Sequence, residues 1–365
     1  MARRYQERML SKRCLYFING QVFFQCRRET WREDMFLEGI QVIQSVDTLA
    51  AKHAIDANSI DANPHSDYAG SLYEYSGRIL TWHSDVLAAF SGMLNMYLLR
   101  MRTDRNDGID HFFGLPVAVF DWALQWNPNR AVRRRPGKWP SWSWCGWIGR
   151  VTMPYFSNYK QLLDWCAEHT WIEWIGYEGL KPATRLLSHS AYNRNTYRFP
   201  HHEFPPVAEA NIETRLAAST EIPPGSEALG IDHPVLHFCT LAICLRVRPI
   251  EKFSDMPRPQ SGAFEILDAS AAPCGHILIN STLSYNSDSM GEFLLLSDAR
   301  SKDVRWKEDP GTVFHDDDWG AYQVMLVQRF GGRALAERVA IGVILQKAVE
   351  NAVASGVEWK EIWLV

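Results

Sequence analysis

The sequence lacks most of what would give a 365-residue chain an obvious chemistry. No Gly-x-Ser-x-Gly elbow presents a nucleophilic serine, and Ser91, in Ala-Phe-Ser-Gly-Met, falls inside an amphipathic helical pattern. No glycine-rich loop cradles phosphate, because Gly331-Gly332 lacks the following Lys-Ser or Lys-Thr. His201-His202-Glu203 does not have the spacing that puts two ligands on one helical face. His315-Asp316-Asp317-Asp318 lacks calcium-loop spacing and reads as a solvated turn. Seven cysteines are an odd number without framework or zinc spacing, so Cys239, Cys244 and Cys274 read as buried reduced thiols, which favours a cytoplasmic setting. No metal and no cofactor is expected.

Charge and apolar runs are equally unhelpful to special pleading. A net charge of -4 argues against broad attraction to nucleic acid or anionic lipid. The longest apolar run, 234–247, is broken by His237 and Arg246 and falls short of the roughly 20 residues that a membrane helix needs. The basic N-terminus is not followed by an apolar core of signal-peptide length.

What is abundant is tryptophan, 15 residues in all. From 139 to 151 the chain reads Trp-Pro-Ser-Trp-Ser-Trp-Cys-Gly-Trp-Ile-Gly-Arg-Val, and Trp142 and Trp144 alternate with Ser141, Ser143 and Cys145. Alternation of that kind predicts a buried strand with the rings on one face. Upstream, Val86, Leu87, Phe90, Leu94, Leu98 and Met101 form a stripe at helical spacing behind an N-cap at Ser84. A second amphipathic helix after Pro116 carries Val119, Trp122, Ala123 and Trp126. The expected core therefore includes Trp122, Trp142, Trp144, Trp147, Phe90 and Leu94, while Arg133-Arg134-Arg135 reads as a solvated loop.

Around these elements the chain divides coarsely. Residues 5–11 suggest a short helix, and Asn19-Gly20 between two apolar runs predicts a hairpin. The stretch 44–69 is polar, with at most one helical piece, and the period around Trp165, Trp171 and Trp174 fits helix or strand. Residues 182–233 form a long polar connection expected to be partly disordered. From 234 onward, short β-rich runs, among them 235–247, 262–267, 276–281, 291–296, 321–330, 335–345 and 359–365, predict an antiparallel sandwich or partly closed barrel. The fold class is α+β, in segments 1–30, 31–181, 182–233 and 234–365.

Tyr5-Gln6-Glu7-Arg8-Met9-Leu10-Ser11-Lys12-Arg13-Cys14-Leu15-Tyr16-Phe17, followed by Gln25-Cys26-Arg27, resembles the last motif of the fungal heterokaryon incompatibility (HET) domain. Tyr75-Ser76-x-Arg78-x-Leu80-Thr81, Gly114-Leu115-Pro116 and Pro140-Ser141-Trp142-Ser143-Trp144 look like the regions that follow that domain. So do Phe264 to Asp268, Cys274-Gly275, Glu292 to Leu296 and Glu358 to Ile362. The earlier HET motifs are absent, so 1–30 reads as the C-terminal remnant of the domain. The resemblance implies a protein of non-self recognition and programmed cell death that acts on a protein partner. HET domains are also thought similar to TIR domains, some of which cleave NAD. That implies an alternative, an NAD-cleaving enzyme completed by a partner or by missing sequence, in which Glu7 is the one catalytic candidate carried over. A single carboxylate cannot supply the converging groups that such a reaction needs. The expectation is a scaffold and not an enzyme, and whether Phe17, Phe23 and Phe24 find cover is for the fold to decide.

Overall fold

In a computed structural model, the described residues are 7, 9–18, 20–26, 30–33, 63–101, 110–130, 132–178, 184–186, 233–250, 262–279, 289–304, 318–330, 335–352 and 357–365. They form a mixed α+β structure with five helices and a large C-terminal sheet that partly closes into a ring. Strands β1 (Arg13–Ile18), β2 (Gln21–Cys26) and β3 (Thr30–Arg32) make a small antiparallel sheet. Gly20, at φ 79°, takes the left-handed conformation that the β1–β2 turn requires. Ser11 N–H donates to Glu7 O at 3.0 Å, closing one helical turn ahead of β1. Met9 and Leu10 from that turn pack on the main core.

The helical layer contains α1 (Pro64–Ser76), α2 (Ser91–Met101), the one-turn α3 (Phe120–Ala123) and α4 (Tyr159–Glu168). α1 is a helical piece at the end of the polar stretch. The stripe from Val86 to Met101 does not form one helix. His83–Asp85 is a 3₁₀ turn, Ser84 Oγ donates to Asp85 Oδ1 at 3.3 Å instead of capping, and α2 begins only at Ser91. Val86, Phe90, Leu94, Leu98 and Met101 are nonetheless all buried. The helix expected after Pro116 is likewise split into a 3₁₀ turn, Val117–Val119, and α3. The ambiguous tryptophans divide between elements: Trp165 lies on α4 and Trp174 opens β4 (Trp174–Tyr177).

The large sheet continues with β5 (Thr184–Leu186), β6 (Val235–Pro249), β7 (Ala263–Leu267), β8 (Pro273–Leu278), β9 (Ser289–Ala299), β10 (Ala321–Phe330), β11 (Leu335–Leu345) and β12 (Glu358–Leu364); helix α5 (Gln346–Ala352) follows β11. Its order is β5-β4-β6-β7-β8-β11-β10-β9, and β9 pairs back to β6, closing the ring. β12 lies beside β6 antiparallel and touches β11 in parallel.

Strand periodicity divides β6 between two cores. Leu241, Ile243, Leu245 and Val247 point into the ring, whereas Leu236, Phe238 and Ala242 point to the helical layer. β9 and β10 divide the same way, Phe293 and Leu295 against Leu294 and Leu296, and Val324 and Leu326 against Met325 and Val327. Burial on both faces explains the near-continuous apolar run at the start of β6. Past Ile243 the outer layer ends and exposure alternates, so Cys244, Arg246 and Arg248 face water. Cys244 is thus exposed and Cys239 half-buried, contrary to the expectation of buried thiols.

The alternating stretch 141–145 is not a strand; strand pairing begins only at Trp147–Ile148, against Arg133–Arg134. Trp144–Gly146 is a 3₁₀ turn whose second N–H, that of Cys145, is accepted by Ser143 Oγ at 3.0 Å. Trp142, Trp144, Ser141 and Ser143 are all buried. Alternation requires one wet face, and this segment has none, because it threads between the helices and the sheet. Each fully buried indole contributes on the order of 5 kcal/mol of transfer free energy before entropy. Nor is the arginine triplet a solvated loop. Arg135 is buried and donates to the carbonyls of Cys145 and Trp147, both at 2.8 Å. Arg134 donates to those of Gly146 and Trp139 at 3.0 and 2.9 Å. The two guanidinium groups thus satisfy carbonyls around the bend, one of which, Gly146 O, also accepts the backbone N–H of Arg135 at 2.8 Å.

Candidate functional site

The small N-terminal sheet presents the most distinctive surface. Its register pairs Arg13 with Cys26, Leu15 with Phe24, Phe17 with Val22, and Phe24 with Trp31. Successive side chains alternate, so Arg13, Leu15, Phe17, Val22, Phe24, Cys26 and Trp31 share one face. Leu15, Phe17 and Trp31 are 61%, 77% and 54% exposed. Phe23, on the opposite face, is buried, and there Tyr16 OH donates to Gln25 Oε1 at 3.2 Å. Of the three phenylalanines whose cover the sequence left open, Phe23 is covered, Phe24 half-covered and Phe17 not. Exposed apolar area in one contiguous patch marks an interaction site more often than a scattered leucine does.

Groups able to do chemistry lie elsewhere and apart. Glu7 is exposed, and no hydrogen bond or ion pair among the described residues reaches its carboxylate. His169 Nδ1 lies 3.1 Å from Asp298 Oδ2, and its ring stacks on Trp319 with centroids 3.6 Å apart. No hydroxyl or thiol among the described residues hydrogen-bonds that imidazole, so the pair lacks a nucleophile to activate. Asp298 N–H donates to His169 O at 2.9 Å, and Trp165 Nε1–H to Asp298 O at 3.3 Å, so the arrangement clamps the end of α4 onto β9. His65 is buried against Trp122 and Tyr159, with Nε2 3.1 Å from Phe156 O, and burial lowers its pKa. His237 Nε2 sits 2.8 Å from Glu361 Oε1 across β6 and β12, its ring stacked on Trp363. Burial pushes the thiols of Cys145 and Cys274 up to about 12, leaving them protonated and unreactive. Among the described residues no three His, Cys, Asp or Glu side chains gather to hold a metal.

The sequence-predicted residues divide by location. Trp122, Trp142, Trp144, Trp147, Phe90 and Leu94 belong to one apolar cluster, and Glu7 stands outside it. His201, His202, Glu203, Gly331, Gly332 and His315 to Asp317 lie outside the described residues. Two buried residues escaped sequence reasoning. Arg338 donates to Leu124 O at 2.7 Å and to Trp126 O, with its guanidinium 3.8 Å from the Trp126 ring centroid. Asp121 accepts from Trp174 Nε1–H at 2.9 Å. An arginine inside an alternating apolar strand was the available signal for the first. No family model, no curated protein and no solved structure matches this chain.

Proposed function

We propose that this chain is a HET-like protein of fungal non-self recognition and regulated cell death, working in the cytoplasm by contact with protein rather than by catalysis. The supporting observation is the apolar face of Leu15, Phe17, Phe24 and Trp31, which lies in or next to the segment that carries the HET-like motif. A carboxylate in water with no converging group among the described residues, as at Glu7, favours contact over chemistry. None of the described helices is long and apolar enough to cross a membrane, and the net charge of -4 disfavours nucleic acid as the partner.

The test is expression of the full chain in a fungal host with growth arrest as the readout. Phe17→Asp abolishes the response, and Glu7→Ala leaves it intact. Purified chain incubated with NAD gives no turnover. Turnover that Glu7→Ala removes would refute the non-catalytic reading and establish the NAD-cleaving one.

A further inference from the structure

We infer that the occupant of the apolar N-terminal face is a second copy of this chain, an inference that rests on the contact reading above. Charge at the two ends of the face carries it. Arg13 belongs to the apolar face and, with Lys12, marks one end; both are exposed, and no acid among the described residues pairs with either. At the other end, beside Phe17 and Val22, stands exposed Glu33, whose carboxylate accepts the Val22 N–H at 3.2 Å. The surface is therefore an apolar strip with a basic and an acidic end. Such a strip is complementary to itself once turned end for end, which a two-fold axis across the strands accomplishes. Each copy's Arg13 and Lys12 then lie at the end that carries the other's Glu33.

The area is sufficient. Leu15, Phe17 and Trp31 together leave roughly 400 Å² of side chain in water. With half-buried Val22 and Phe24 and the charged ends, two copies bury about 1,000 Å², the lower bound of a specific interface. An interface of that size, with aromatic rings at its centre and ion pairs at its rim, gives a reversible dimer with a dissociation constant of order micromolar.

Sedimentation equilibrium on the full chain tests this. Between about 0.05 and 100 µM, the weight-average mass rises from near 41.9 kDa toward twice that value. Phe17→Asp, at a position 77% exposed and so harmless to folding, keeps the chain monomeric over that range with an unchanged melting temperature. Arg13→Glu and Glu33→Lys each weaken association about tenfold by placing like charges together, and the double reversal restores most of it. A wild type that remains monomeric overturns the proposal, as does a dimer that survives Phe17→Asp or a double reversal no better than its parents. If the wild type is monomeric while growth arrest still requires Phe17, the second copy is refuted and the contact reading stands. If neither depends on Phe17, both fall.

Discussion

Ser141→Ala is a small change with a large expected effect, because Ser141 ties the tryptophan-rich segment to the C-terminal sheet. Its hydroxyl donates to Val365 O and accepts the backbone N–H of Arg338 at 2.9 Å, with all partners buried. Val365 O keeps a second donor, Ser141 N–H at 3.0 Å, so losing the hydroxyl does not orphan it. The Arg338 N–H has no such reserve. A buried donor without an acceptor costs about 1 to 3 kcal/mol, and the void left by one oxygen adds little. The expected loss is about 2 kcal/mol, which at a urea slope of roughly 3 kcal/mol/M moves the midpoint down by about 0.7 M. Tryptophan fluorescence follows the transition directly, since the indoles flank the altered bond. Ser157→Ala, at an exposed position where the hydroxyl meets only the side chains of Gln161 and Asn158, changes stability by less than about 0.5 kcal/mol. A Ser141→Ala midpoint within about 0.1 M of wild type would show that the segment is not held to the sheet in this way.

Arg338→Ala strips the carbonyls of Leu124 and Trp126 of their donor and leaves a void over the Trp126 ring, costing about 3 to 5 kcal/mol. Arg338→Met costs less, since it fills the space and removes a charge that burial disfavours; guanidinium denaturation gives the order. Gly114→Ala loses about 2 kcal/mol in the same assay, because Gly114 sits at φ 85° and a Cβ there would lie 2.8 Å from the Trp144 ring. Burial lowers His276 from 6.5 to about 4, so below pH 6.5 the unfolded chain takes up the proton that the native one refuses. Stability attributable to this group therefore falls between pH 6.5 and 4, by at most about 3 kcal/mol, and His276→Gln flattens that part of a melting-temperature profile.

Much of the C-terminal sheet was legible because its strands are bounded by turn residues and carry β-branched runs. The readings 321–330 and 335–345 coincide with β10 and β11. The hairpin was equally plain, as Asn-Gly leaves few alternatives between two aromatic runs. The tryptophan-rich segment misled because serine at alternate positions imitates a strand with one wet face. Ser143 was instead a cap and Ser141 a tie, roles that depend on residues distant in sequence. Arg134 and Arg135 misled for the same reason: their acceptors are the carbonyls of a bend that no local pattern announces. As for the proposed surface, the sequence showed that residues 15–17 and 22–24 are apolar strands, but which aromatic rings stay in water depends on what packs behind Phe23.

Because β6 is a wall common to two cores, neither half of the protein is a portable module. A gene split ahead of Val235 would strand Trp174 without Phe238, whose ring centroid lies 4.6 Å away, and would leave the ring of strands with a greasy outer surface. Such halves are poor candidates for exchange by shuffling. The helical layer and the sheet have to be inherited as one piece, and their substitutions at Leu236, Phe238 and Ala242 must be tolerated by both at once.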